Sequence, residues 1–435
     1  MTSYKYIVAF LAFVSFAKMN AQEILTIENA TKIALENNYE IKIAANDLKI
    51  DQTNVATGNA GMLPVVTANI VDNNSLQNST QTRSDGTVTK LDNAKNNSLN
   101  YGVGLDWTIF DGFRMFAKYD QLKALQKLGE TELRSTILTK IGDVTATYYD
   151  LVQQQQQLAA LDTTLVISNQ RLELAQNRFT IGKASKLEVL NAQVDLNTDT
   201  TNLLKQKELY ANTKILLNQI LARDTKTDFK VVDYFVVDDK LLLPDLTLLA
   251  EKQNPELEAQ IINQKVAELQ LKQIRAGRYP TVRLNTGYNF TDSQSSLGFT
   301  TQSSARGLTY GFSATMNIFD GFYQNRNEKI AKIQIENSKI AIAQQTQTLY
   351  AALGTSYQTY LTNLELTKVE EKSEAIAKQN LDITLDKFRI GTITTLEFRT
   401  AQLNYVNAKV RLSNAQYQAK LSEITLKELA GNLTL

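Results

Sequence analysis

The pentapeptide Ile109-Phe110-Asp111-Gly112-Phe113 returns 209 residues later as Ile318-Phe319-Asp320-Gly321-Phe322, and this duplication decides the fold. The same offset of 209 relates Phe179-Thr180-Ile181-Gly182 to Phe388-Arg389-Ile390-Gly391, so the stretch between the two motifs is matched in both copies without a net gap. Upstream, Asn38-Tyr39-Glu40 and Leu63-Pro64 are matched by Asn254-Pro255-Glu256 and Tyr279-Pro280 at an offset of 216, which leaves 7 extra residues in the first copy before its Asp-Gly-Phe turn. The chain is two copies of one structural unit, and each motif need be decoded only once.

Composition narrows the function. There is no His and no Cys in 435 residues. That removes the side chain that titrates near neutral pH, the thiol nucleophile and the commonest transition-metal ligands. No Gly-x-Ser-x-Gly, P-loop or His-Glu-x-x-His pattern occurs. The chain reads as a non-enzyme, with no catalytic residue, no metal site and no cofactor. A net charge of +1 gives no electrostatic footprint for nucleic acid. Residues 1–21 read as a secretory signal: Lys5 is the positive start, Tyr6 to Ala17 the apolar run, and Ala21 or Ala17 the last residue before cleavage. Nothing downstream approaches the roughly 18 consecutive apolar residues of a membrane-spanning helix. If the mature chain enters a membrane, it does so as strands.

Proline occurs only at Pro64, Pro244, Pro255 and Pro280, so residues 65–243 and 281–435 permit very long helices. Helices are expected over about 114–181 and 186–221, and again over about 323–390 and 395–430. The first of these is roughly 98 Å long at 1.5 Å per residue. Ile137, Val144, Leu151, Leu158, Leu165, Leu172 and Phe179 recur every seventh residue, which predicts coiled-coil packing. In the second copy Leu353, Tyr360, Leu381 and Phe388 keep that register, while Thr367 and Glu374 break it. Each long helix ends in a reversal: Gly182 stops the first and Ser185-x-x-Glu188 opens the next as a capping box, and Gly391 with Thr394-x-x-Glu397 repeats the pattern. A further helix precedes the strands of each copy, at about 27–61 and 246–277, bent near Tyr39 and near Asn254-Pro255. Two shorter helices stacked end to end would lie beside one long helix, giving a pair of rods, one continuous and one broken.

Strands are expected at about 64–72 and 100–110, and at about 280–291 and 308–319. Tyr101, Val103, Leu105, Trp107 and Ile109 alternate with Gly102, Gly104, Asp106 and Thr108; Tyr310, Phe312, Ala314 and Met316 alternate with Gly311, Ser313 and Thr315. Residues 73–99 and 291–307, rich in Asn, Ser, Thr, Gln and Gly, read as solvated loops. Asp111 and Asp320 read as helix caps, like Ser185 and Thr394. Four strands cannot close a barrel, which needs about eight, and strands in lipid need every edge paired. Either the sheet is a small one in a soluble exported protein, or several chains share one barrel. The small and polar inner face, with Tyr101, Trp107, Tyr288 and Tyr310 near strand ends where aromatic girdles sit, favours the shared barrel.

This order of elements, in duplicate from Leu25-Thr26-Ile27-Glu28 to Leu429-Ala430-Gly431, resembles the TolC-like outer-membrane efflux channels. The resemblance implies a mainly α with β fold: two tandem repeats of long coiled-coil helices plus a β-hairpin, at 22–221 and 246–435, joined by an equatorial segment at 222–245. It implies a homotrimer with a barrel of about 12 strands in outer-membrane lipid and a periplasmic α-helical barrel. The implied function is the exit duct of a tripartite efflux or type I secretion system in a Gram-negative outer membrane, extending into the periplasm. Flow is passive, driven by an inner-membrane pump of the RND, ABC or MFS type through a periplasmic adaptor. The implied adaptor-contact tip is Gly182, Lys183, Ala184, Gly391, Thr392 and Ile393; the implied lumen gate is Glu188, Glu397 and Phe388. Here Phe388 takes the place of a tyrosine in the best-known members, Ile393 that of an arginine and Thr400 that of a second acid, so the gate is expected to close by apolar packing or with one ring of carboxylates. Crowding in such a ring raises carboxyl pKa values and favours cations. Two other readings are an exported structural coiled-coil protein and the periplasmic adaptor itself, which carries a single helical hairpin.

Overall fold

A computed structural model describes residues 23–296 and 300–433; the signal expected at 1–21 lies outside them. In chain order the elements are β1 (Glu23–Leu25), α1 (Ile27–Asn37), α2 (Tyr39–Asn54), β2 (Val65–Thr82), β3 (Val88–Phe110), α3 (Arg114–Thr180), α4 (Lys186–Ile220), β4 (Phe229–Val231), α5 (Leu243–Gln253), α6 (Pro255–Arg275), β5 (Thr281–Ser295), β6 (Gln302–Thr315), α7 (Tyr323–Ile390) and α8 (Thr395–Leu429). Among the described residues no helix is long and apolar enough to cross a membrane. Two compact units divide the chain, one of residues 47–130 and 259–343, the other of the described residues up to Asn46 with 131–258 and 344–435.

The first unit holds a four-stranded antiparallel sheet in the order β2-β3-β5-β6. Its register sets like against like. Ile70 faces Tyr101, Tyr101 faces Phe290, Val103 faces Tyr288, Trp107 faces Leu284, and Leu284 faces Phe312, forming one apolar face across all four strands. The opposite rows read Thr67, Gly104, Gly287, Thr309 and Asn69, Gly102, Asn289, Gly307. The apolar face has no core beneath it: Ile70 is 78%, Phe312 75% and Tyr310 80% exposed.

The strands correct the sequence reading. The solvated loop expected at 73–99 is instead paired strand: β2 and β3 run on together to Thr82 and Val88, closed by a short turn in which Gly86 has φ +83. The loop expected at 291–307 is likewise taken up by strand to Ser295 and from Gln302, and β6 ends at Thr315 rather than near 319. Pairing satisfies backbone groups whatever the side chains, so a hairpin polar on both faces forms here where only amphipathic alternation was legible. The first broken rod is also shorter than expected, α2 ending at Asn54 rather than near 61.

At the base of the sheet each Asp-Gly-Phe turn places two successive residues in the left-handed region, Gly112 and Phe113 at φ +71 and +68, Gly321 and Phe322 at +64 and +63. A phenylalanine there is strained, and the aspartate offsets it. Asp111 accepts from the Met115 N–H at 3.0 Å and Asp320 from the Gln324 N–H at 2.8 Å, so both cap their helix from outside its first turn. Phe110 and Phe113 meet edge to face at 5.3 Å, as Phe319 and Phe322 do at 5.5 Å.

In the second unit both broken rods break at an asparagine. Asn38 accepts from the Glu40 N–H at 2.9 Å and donates its amide to the Ile220 carbonyl at 2.8 Å. Asn254 does the same, accepting from the Leu257 N–H at 2.9 Å and donating to the Leu429 carbonyl at 3.0 Å. One side chain therefore starts the second half of the broken rod and satisfies an orphan carbonyl at the end of the returning helix. Within the 222–245 segment, β4 pairs in parallel with β1. Tyr148 bridges the two, donating to the Leu25 carbonyl and accepting from the Val232 N–H. Around them Val144, Leu151, Val152, Leu217, Leu221 and Phe229 form the largest apolar core of the unit.

The heptad needs a correction too. Val144 and Leu151 are buried, but Leu158, Leu165 and Leu172 are half-exposed and Phe179 is exposed. Beyond Leu151 the buried positions of α3 are Val152, Gln154, Ala160, Thr164, Ser168, Arg171 and Ala175. Small and polar residues let the helices approach closely and hydrogen-bond, and the leucine ladder is only half covered within the chain.

Candidate functional site

The two turns at the ends of α3 and α7 have one geometry. Gly182 and Gly391 sit at φ +73 and +85, which only glycine adopts without strain. The N–H of Lys183 donates to the Arg178 carbonyl at 2.7 Å and that of Gly182 to Phe179 at 3.0 Å. Thr392 to Lys387 and Gly391 to Phe388, both at 3.0 Å, repeat the pattern. Each is a Schellman closure, and it consumes the last free carbonyls of a helix with no tertiary partner needed. With Gly182 and Lys183, Gly391 and Thr392 are exposed; Ala184 and Ile393 are half-buried, Ile393 against an apolar cluster. Around these turns Ile181, Leu187, Ile390 and Leu396 stand exposed, and the offset of 209 pairs them across the repeats.

The caps differ between copies. At α8 the box is complete: Thr394 accepts from the Glu397 N–H at 3.2 Å, and the Glu397 carboxylate accepts from the Thr394 N–H at 2.8 Å. At α4 it is half formed, because Ser185 accepts from the Glu188 N–H at 3.3 Å but the Glu188 carboxylate turns away. It accepts instead from the Thr395 hydroxyl at 3.0 Å and lies 3.5 Å from Arg178. Glu188 thus ties the start of α4 to the start of α8 and brings the two turns together. Glu397 bears on the carboxylate-ring expectation. The Thr394 N–H, then its hydroxyl, hold this carboxyl below the usual range, so within one chain the cap pulls it opposite to like-charge crowding.

Phe388, expected at the gate, is buried within the single chain. It is 2% exposed, stacked on Phe398 at 4.8 Å, within an apolar cluster of Leu381, Ile167, Leu174 and Leu385. An aromatic ring without a hydroxyl gains by packing on a ring and leucines, and within one chain Phe388 is part of this core.

Sequence reasoning missed the polar clasp behind that core. Arg399 on α8 makes a bidentate pair with Asp199 on α4, at 2.7 and 2.8 Å, and its Nε lies 3.7 Å from Asp195. Ser168 on α3 donates to Asp199 at 2.6 Å, Arg171 on α3 pairs with Asp195, and Gln402 donates to Ser168 at 3.0 Å and to the Thr164 carbonyl at 3.2 Å. Burial pulls the Arg399 guanidinium down, but the hydrogen bond and charge of Asp199 outweigh it and the group is held above its usual value. The legible signal was Asp195 and Asp199 one helical turn apart; their partner, 200 residues away from Asp199, was not.

A family model described as outer membrane efflux protein matches residues 30–223 and again 246–432. The outer membrane protein TolC of Vibrio cholerae serotype O1 is 24% identical over 304 residues, covering 67% of this chain and 67% of that protein. TolC of Escherichia coli K12 is 21% identical over 346 residues, covering 78% and 70%. Among solved structures, the Campylobacter jejuni CmeC outer membrane channel superposes with a TM-score of 0.79 at 16% identity, covering 93% of this chain and 85% of that one. Both halves of the duplication are matched, and on that evidence the chain belongs to the outer membrane efflux protein family.

Proposed function

We propose that three copies of this chain form a passive exit duct through a Gram-negative outer membrane, joined through a periplasmic adaptor to an inner-membrane pump. The observation that carries this reading is the sheet: four strands, β2 and β6 at open edges, one face apolar and exposed. An open edge is not tolerated in lipid. Because the strand count per chain is even and all pairs are antiparallel, β6 of one copy meets β2 of the next antiparallel, and closure gives a barrel of about 12 strands with no edge left. The row of Thr67, Gly104, Gly287 and Thr309 then faces the lumen, and the aromatic row faces lipid.

The repeats at 22–221 and 246–435 each supply a hairpin, and residues 222–245 join them. The tip at Gly182, Lys183, Ala184, Gly391, Thr392 and Ile393 is the adaptor contact. Support comes from the exposed, repeat-related Ile181, Leu187, Ile390 and Leu396 beside it, since apolar side chains clustered on a surface mark partner sites. Glu188 and Glu397 lie at the narrow end and set its charge. The duct catalyses no reaction; the choice of cargo and the energy reside in the pump. Planar-bilayer recording tests the reading: reconstituted protein is expected to give discrete, cation-preferring steps, and Glu397→Gln to lower that preference. Protein that inserts with no conductance under any voltage would refute it.

A further inference from the structure

At the base of the sheet a cavity of about 330 Å³ sits among β5, β6 and the first residue of α3. Two arginines line it, Arg114 and Arg283, beside the hydroxyl residues Thr281, Ser313 and Thr315, and no acidic residue does. Strand residues alternate between faces, so Thr281, Arg283, Ser313 and Thr315 share the face of Gly287 and Thr309. Arg114 reaches the cavity from the helix: its Nη2 lies 3.7 Å from where a Cβ on Gly277, itself a lining residue, would stand. Both arginines are exposed, so a solute can reach them. Among the described residues neither makes an ion pair or a hydrogen bond. The acids at this end of the sheet are engaged elsewhere: Asp106 accepts from the Asn285 amide, Asp111 from the Met115 N–H, Asp320 from the Gln324 N–H, and Glu328 pairs with Arg278.

We infer that this cavity binds a tetrahedral oxyanion, a phosphate or sulfate group, held between the two guanidiniums with the hydroxyls of Ser313 and Thr315 as further donors. A guanidinium fork matches the paired oxygens of such a group, and each bond is charge-assisted. A carboxylate has two oxygens, enough for one fork; a tetrahedral oxyanion has oxygens for both forks and for the hydroxyls. Clefts lined by one sign of charge concentrate the opposite sign, and this one holds two cations with no counter-charge in its lining. The face is the one opposite the aromatic row, so a lipid headgroup is not the source. The group is either the free ion or one carried by a molecule inside the duct. In the duct reading the cavity recurs in each copy around the lumen, and anionic cargo meets a belt of guanidiniums at the base of the barrel. That placement rests on the duct reading; the binding rests on one chain alone.

The test uses the full chain, purified in neutral detergent in a phosphate-free chloride buffer, titrated with inorganic phosphate, phenyl phosphate and acetate, and read by calorimetry. Phosphate is expected to bind saturably at one site per chain and at least about tenfold more tightly than acetate, the difference one charged hydrogen bond of ordinary strength gives. Arg283→Gln and Arg114→Gln are each expected to weaken phosphate at least about tenfold. Arg306→Gln removes the same charge from the opposite face, where Arg306 pairs in register with Phe290, and should leave the affinity unchanged. All three side chains are exposed, so the substitutions disturb no packing; the phosphate-to-acetate ratio of the unaltered chain decides even without them. Phenyl phosphate binding as tightly as phosphate assigns the site to groups carried on cargo, and its exclusion assigns the site to the free ion; either upholds an oxyanion site. Absent saturable binding, acetate held as tightly as phosphate, or an equal loss in Arg306→Gln would overturn the proposal. Protein that binds phosphate but conducts nothing in planar bilayers would refute the duct and leave this site standing.

Discussion

Removing one partner of the Arg399–Asp199 pair should loosen the helices behind the tip far more than removing both. The pair is bidentate at 2.7 and 2.8 Å, and the two side chains are only 10% and 5% exposed, so neither charge can be rescued by water. Breaking such a buried pair costs about 3–5 kcal/mol, because the survivor is stranded, while replacing both by apolar residues of similar volume is close to neutral. Asp199→Leu strands Arg399, with Asp195 only 3.7 Å away as a weak substitute already shared with Arg171. Asp199→Leu with Arg399→Met leaves Ser168 and Gln402 to bond each other. Native-state hydrogen exchange of the amides between 395 and 405 reads the local opening constant directly. The single variant should lose about two to four decades of protection, and the double variant should regain most of it. A loss under tenfold in the single, or a double as unprotected as the single, would refute the argument that the clasp holds α8 against α4.

Four smaller predictions follow from backbone and cap geometry. Ala222 has φ +51 where the repeat has Gly431, so Ala222→Gly should stabilise by about 0.5–1 kcal/mol in denaturant titration; no change would contradict the strain. Gly431→Ala should destabilise far more than Gly182→Ala, because a Cβ there meets the Gln253 carbonyl at 2.4 Å while Gly182 opens on space. Glu397, held low by its cap, contributes stability that is complete above the ordinary glutamate value of 4.5 and is lost as pH falls through its depressed folded value. The protection factors at 395–398, taken against the intrinsic rate at each pH, should therefore fall in acid, and Glu397→Gln should flatten that dependence. Protease added to intact cells should cut the first hairpin only within 83–87, where pairing lapses; cleavage spread over 73–99 would contradict the extended strands.

What the sequence made legible was local and periodic. Gly182, Gly391 and the Ser185 and Thr394 caps act within a few residues of themselves, so their turns could be read from spacing. Duplication then doubled every signal. What escaped depends on partners far along the chain. The bends near Tyr39 and Asn254 were seen, but not the donation from Asn38 and Asn254 to Ile220 and Leu429. The Glu188 side chain fits a capping box by spacing and was captured instead by Thr395, 207 residues away. Phe388 was placed at the gate by resemblance, and its packing against Phe398 was not seen. The outer half of the β2–β3 hairpin carries no amphipathic signal, since polar residues predominate on both of its faces.

The central claim is that the open edges of one four-stranded sheet are closed by further copies of the same chain. Imaging the detergent-extracted protein by electron microscopy, with its mass, tests it most directly. The account predicts a particle of three-fold symmetry with β6 of each copy paired to β2 of the next. A monomer, or a particle soluble without detergent, would leave those edges unpaired and contradict it.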